Sequence, residues 1–148
     1  MKETTAVAPY RHKLSIGESR GVIISDVPSA IDEALAQIRK DREALHEYLL
    51  RYPAFYYSLK PVDVSKKAPL VVQRMAEAAS SAGVGPMAAV AGAIIDQAFE
   101  KMTVCGARVA IIENGGEVVA RSDSPVYAGI YAGPSPLSGR IAFKLSHF

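Results

Sequence analysis

The hydrophobic period changes twice along this chain, and the order of those changes constrains the fold more than any other feature. Residues 11–16 and 21–25 carry alternating or β-branched apolar positions around the polar Gly17-Glu18-Ser19-Arg20, which has hairpin-turn chemistry. Beyond them Ile31, Leu35, Ile38, Leu45 and Leu49 recur at spacings near three and four. That is the pattern of a long amphipathic helix, which Asp26-Val27-Pro28-Ser29 can start and Pro53 ends. A second helix is predicted over 69–81, with Val71, Val72, Met75 and Ala79 on one side and Gly83 just past its end. A third is predicted over 86–102, rich in small residues that permit close helix packing. Period two then returns over 107–112, followed by the turn Asn114-Gly115-Gly116, a partner strand over 117–121, and two more strands over 126–131 and 140–145. Strands, then helices, then strands predict an α+β fold with antiparallel hairpins on three main helices, not a βαβ repeat.

Composition narrows the classes. A chain of 148 residues with 49% hydrophobic and 22% charged side chains is expected to form one domain over 1–148. Lys and Arg total 17 against 15 acidic residues, and no dense basic block points to nucleic acid. The lone Cys105 rules out an intrachain disulfide and fits a reducing cytosol, and the polar start lacks a secretion signal. The longest apolar stretch, residues 84–95, is short of the roughly 20 needed to cross a bilayer, so a cytoplasmic protein without a membrane partner is expected. The charged face of the long helix, Asp32, Glu33, Lys40, Asp41, Arg42 and Glu43, reads as solvated surface. Tyr52-Pro53-Ala54-Phe55-Tyr56-Tyr57 reads as packing beneath a connection. His12, His46 and His147 are isolated and lack metal-ligand spacing.

Three segments carry candidate chemistry. Gly83-Val84-Gly85-Pro86-Met87-Ala88 leads directly into a helix, where unpaired N–H groups and the helix dipole can receive a phosphate. The same residues also suit a plain C-cap followed by a helix start, and no Walker or dinucleotide pattern is present. Glu113-Asn114-Gly115-Gly116-Glu117 sets two carboxylates around a tight turn, either as a bare hairpin or as a site for a hard metal or a ribose hydroxyl. Between Tyr131 and Gly139 lie Gly133, Ser135 and Ser138, in a proline-stiffened connection whose hydroxyls suit a phosphate.

Together these segments, with residues 51–59 and 68–78, resemble the ApbE-like protein family, relatives of the flavin transferases. The resemblance implies the ApbE-like α+β fold. It also implies chemistry in which the flavin mononucleotide part of FAD moves to a Thr or Ser of a target protein with magnesium. Two departures stand out: Pro86 to Gly92 contain no lysine, and Glu117 replaces the family's Asp. Relatives of that family continue past the position of Phe148, which implies a sheet left incomplete at the C-terminus and a homodimer through its exposed edge. The expected ligand is a flavin (FAD or FMN) or another phosphate-bearing nucleotide, with magnesium. Catalytic and metal-ligating residues are not assigned. The alternatives are a sulfide-incorporating enzyme or accessory factor of sulfur assimilation, in which Cys105 would matter, and an inactive truncated relative.

Overall fold

The opening period-two segment folds as a hairpin with a tighter turn than expected. In the computed structural model, which describes residues 9–146, β1 (Tyr10–Ile16) and β2 (Ser19–Ser25) pair antiparallel across Gly17 and Glu18. Gly17 adopts a φ of +56°, a conformation that lets two residues reverse the chain, so Ser19 and Arg20 join β2. His147 and Phe148 lie outside the described residues.

The long periodic segment is α1 (Pro28–Arg51), 24 residues and so about 36 Å at 1.5 Å per residue. Its start is braced by Ser25, whose Oγ accepts the Val27 N–H at 3.1 Å. Pro53 cannot continue the helix and instead opens α2 (Pro53–Tyr57), one turn that buries Phe55. Next comes α3 (Leu70–Ala82), which ends at Gly83 with φ +70° while the Val84 N–H donates to Ala79 O at 3.0 Å, a Schellman closure. The chain then bends by 109° into α4. The helix expected from 86 begins as a 3-10 turn, Pro86–Ala89, and becomes α-helical at α4 (Val90–Val104). Pro86 has no N–H to give, and the Ala88 N–H reaches back only to Gly85 O, 3.1 Å away.

β3 (Ala110–Asn114) and β4 (Glu117–Arg121) complete a four-stranded antiparallel sheet of order β1-β2-β3-β4. β3 starts later than its composition predicts because Asp26 holds the approach to it. The Asp26 carboxylate accepts the N–H groups of Arg108 and Val109 at 3.0 Å each. Ile23, Ile112 and Val119 stand in register and share one face. Helices α1 and α4 pack on each other and on the sheet, while α3 packs on α1 and α4. Leu14, Ile23, Ile38, Met75, Ile94 and Ile112 fill the space between these layers. β5 (Val126–Gly129) and β6 (Ala142–Leu145) pair only with each other, as a separate antiparallel ribbon. The fold is α+β, as expected. Among the described residues no single helix is long and apolar enough to cross a membrane.

Candidate functional site

The structure separates the three segments singled out by sequence. At the α3–α4 corner Gly83 and Val84 are exposed, but Gly85 is buried against the chain's own backbone. A side chain at Gly85 would collide with the Ser58 carbonyl, so glycine is required there for close approach. The N–H groups of Gly83, Val84 and Ala88 are already donated to carbonyls of this corner. The Gly83 and Ala88 N–H groups are therefore not free for a ligand, which reduces the expected cradle of amides at this corner.

The Glu113–Glu117 turn divides its carboxylates between the two faces of the sheet. Glu117 is the register partner of Asn114, whereas Glu113 pairs with Val118 one position along and so projects to the opposite side. Glu113 Oε1 accepts the Gly116 N–H at 2.8 Å, and buried Asn114 Oδ1 accepts the Arg20 N–H at 3.1 Å. Gly115 and Gly116 carry φ of +64° and +104°, as the two-residue turn demands. Glu113 and Gly116 are thus spent on the turn itself, while Asn114 and Gly115 tie it to β2, Gly115 by donating its N–H to Arg20 O at 2.9 Å. The 131–139 connection also satisfies itself: Ser138 Oγ accepts the Ala132 N–H and Ser135 Oγ accepts the Leu137 N–H. Gly133 takes φ +55° in that same loop.

Of the two carboxylates of this turn, Glu117 is the one that lies against the helices. Its Oε2 would lie 3.3 Å from a Cβ on Gly92, so the carboxylate rests on the smallest surface of α4. There it lines a cleft of about 430 Å³ between α3, α4 and β4, with Arg74, Glu77, Ala89, Gly92 and Asp96. Sequence reading missed Arg74, Glu77 and Asp96. The helical spacing of Gly92 and Asp96, four residues apart on one side of α4, was the signal that could have found Asp96. Arg74 is engaged by Glu100, at 2.8 Å, which leaves the cleft with an acidic excess from Glu77, Asp96 and Glu117. Among the described residues no three His, Cys, Asp or Glu side chains are grouped closely enough to hold a metal ion by themselves. Neither Gly83, Gly85 nor the 131–139 loop lines this cleft, and Cys105, half-buried at the end of α4, does not line it either.

The aromatic segment is only partly packing. Phe55 is buried, whereas the Tyr48 and Tyr52 rings, 4.6 Å apart, line a separate cavity with Arg51 and Lys67. Burial, reinforced by Tyr52, pushes the Tyr48 hydroxyl above the usual phenol range.

Residues 4–148 match the family model described as AbpE bacteria. The chain belongs to the AbpE bacteria family. Its relatives include a UPF0280 protein of Methanosarcina acetivorans, 41% identical over 130 residues that cover 88% of this chain and 51% of the relative. A UPF0280 protein of Methanospirillum hungatei is also 41% identical, covering 90% of this chain and 54% of its own length. One of Methanococcus vannielii is 36% identical, covering 92% and 55%. The AbpE bacteria chain thus spans about half the length of the curated relatives it matches. These matches correct the resemblance drawn from sequence, because they lead to AbpE bacteria and UPF0280 proteins, not to the ApbE-like family and its flavin transferases. The physical reason is local. Gly85 answers to the Ser58 carbonyl, and Asn114-Gly115-Gly116 answers to a hairpin turn, so neither motif specifies transferase chemistry.

Proposed function

We propose that this chain binds a phosphate-bearing nucleotide or flavin in the cleft between α3, α4 and β4. The observation that carries the reading is the Glu117 carboxylate resting on Gly92, where two segments distant in sequence meet over a surface of small residues. Carboxylates facing an open cleft accept hydrogen bonds from sugar or ribityl hydroxyls, and Gly92 and Ala93 leave room for a flat ring to approach. Phosphate cannot enter such an acidic cleft as a bare anion. Magnesium supplies the charge that lets it do so, since this ion is commonly held by one or two carboxylates together with the ligand's own phosphates. Glu117 and Asp96 are the residues that would share it. Cys105 lies outside the cleft, so no observation here favours the sulfur-assimilation reading.

Thermal unfolding with FAD, FMN and ADP, each with and without magnesium, tests this. A ligand at about 100 times its Kd stabilises the folded chain by about 2.7 kcal/mol. The expected result is saturable stabilisation that requires magnesium and is lost in Glu117→Gln. Stabilisation without magnesium, or none in a folded sample, would sink the reading.

A further inference from the structure

Beyond Asn114 the chain buries nothing of its own. From Gly115 to Ser146, through β4, β5 and β6, no residue is buried, although Val118, Tyr127, Leu137, Ile141 and Phe143 are among its side chains. An edge strand and a two-stranded ribbon are marginal without cover, so this part of the fold calls for a further surface. Hydrogen-bond direction shows where that surface pairs. The β3–β4 turn closes through Asn114 and Glu117, and the Gly115 N–H donates to Arg20 O on the β2 side. Bonded pairs alternate along an antiparallel ladder, so Glu117, Val119 and Arg121 turn their backbone groups to β3, while Val118 and Ala120 turn theirs outward. The same alternation runs along the ribbon. The Ile130 N–H donates to Ile141 O at 2.9 Å, which makes Phe143 and Leu145 the bonded residues of β6 and points the backbone groups of Lys144 away from β5. Among the described residues neither edge has a partner strand. The two meet at one cavity of about 440 Å³, lined by Val118, Ala120, Lys144, Leu145 and Ser146.

We propose that this cavity takes a β-strand of a companion polypeptide, which pairs with β4 on one side and β6 on the other and joins the two sheets into one. The companion is the counterpart of the stretch that the UPF0280 relatives carry outside the match, since this chain covers only 51% to 55% of their length. Strand addition draws its affinity from main-chain bonds and its specificity from alternate side chains. Here Val118, Ala120 and Leu145 call for β-branched or small apolar side chains on the inserted strand. Lys144 calls for one carboxylate beside them, because no acidic residue lines the cavity. The cavity shares no lining residue with the cleft around Glu117, so its occupant does not depend on a nucleotide there.

Amide hydrogen exchange and co-expression test this. In the isolated chain at low concentration, the Val118, Ala120 and Lys144 amides are expected to exchange without protection while the Val119 amide, bonded to β3, is protected. Slow exchange at all three would show both edges already satisfied and would overturn the proposal, whatever the companion does. Co-expression of the full chain with the longer unmatched stretch of the Methanosarcina acetivorans relative is expected to give a soluble 1:1 complex, read by light scattering, in which those three amides become protected. Ala120→Pro and Lys144→Pro each remove one outward N–H from an edge, where proline is tolerated. Each is expected to weaken the complex at least about tenfold while the circular dichroism of the free chain is unchanged. No soluble complex, a complex that leaves the three amides unprotected, or one indifferent to Ala120→Pro would overturn the proposal. So would a dimer of this chain that protects the same amides and that the companion does not displace, which would make a second copy the occupant.

Discussion

At the scale of single residues, two glycines two positions apart do opposite jobs. Gly83 needs its left-handed backbone and has open space where a side chain would go, whereas Gly85 has an ordinary extended backbone and no space. Gly83→Ala is expected to cost about 1 kcal/mol, the penalty for a left-handed non-glycine residue. Gly85→Ala forces the Ser58 carbonyl to move and is expected to cost about 1–3 kcal/mol or more. Urea denaturation of both variants measures the order, and a Gly85→Ala protein as stable as Gly83→Ala would mean the Ser58 backbone is not packed there. The contrast matters for function because a bulky residue at Gly85 disturbs folding first. A loss of ligand binding in such a variant carries no information about a phosphate site.

At the scale of elements, Asp26 joins the end of β2 to the approach of β3. Burial would raise its carboxyl, but the N–H groups of Val109 and Arg108 and the Arg108 charge outweigh that and hold it below the usual carboxylate range. A depressed folded value means this contribution is complete above the unfolded pKa and is lost as pH falls through the folded one. Asp26→Ala is therefore expected to cost about 1–3 kcal/mol near neutrality, with the gap to wild type closing in acid. Denaturant titrations at several pH values check it, and a gap that does not narrow would assign the effect to packing instead. Element boundaries show what the sequence made legible. Apolar spacing found α1, α3 and β4 nearly to the residue, because each packs one face against the core. It missed α2, whose single buried residue, Phe55, leaves no period to detect. Asp41 was placed on the solvated face by its residue type, although Ile38 and Leu45 bracket it at spacings of three and four and the buried stripe has no apolar residue between them. The missing apolar residue in that stripe was the signal. The cleft around Glu117 was half legible: the turn gave Glu117, but only pairing register revealed that Glu113 leaves on the other face.

At the scale of the molecule, the β5–β6 ribbon stands apart from the main sheet. Register places Tyr127 on one face with Lys144 and Phe143 on the other with Ala128. Both aromatic side chains are 65% exposed. A two-stranded ribbon is marginal alone, and apolar surface on both of its faces favours cover by another surface. We expect this chain, on its own, to associate with a second copy as concentration rises, and the double substitution Tyr127→Ser with Phe143→Ser to suppress it. Sedimentation velocity across a concentration series gives the answer, and a monomer at all concentrations rules it out. The central pairing of the main sheet carries a different consequence, one of timing. Asn114, which receives the Arg20 N–H, is made 94 residues after it. At roughly 5–20 residues per second on the ribosome, the N-terminal hairpin waits on the order of 5 to 20 s for the strand that covers its inner edge. All the helices that cover the sheet are synthesised within that interval. The edge of β2 is therefore an open template for that interval, and the order of synthesis has α1 available to pack on the hairpin's face before β3 exists to pair with its edge.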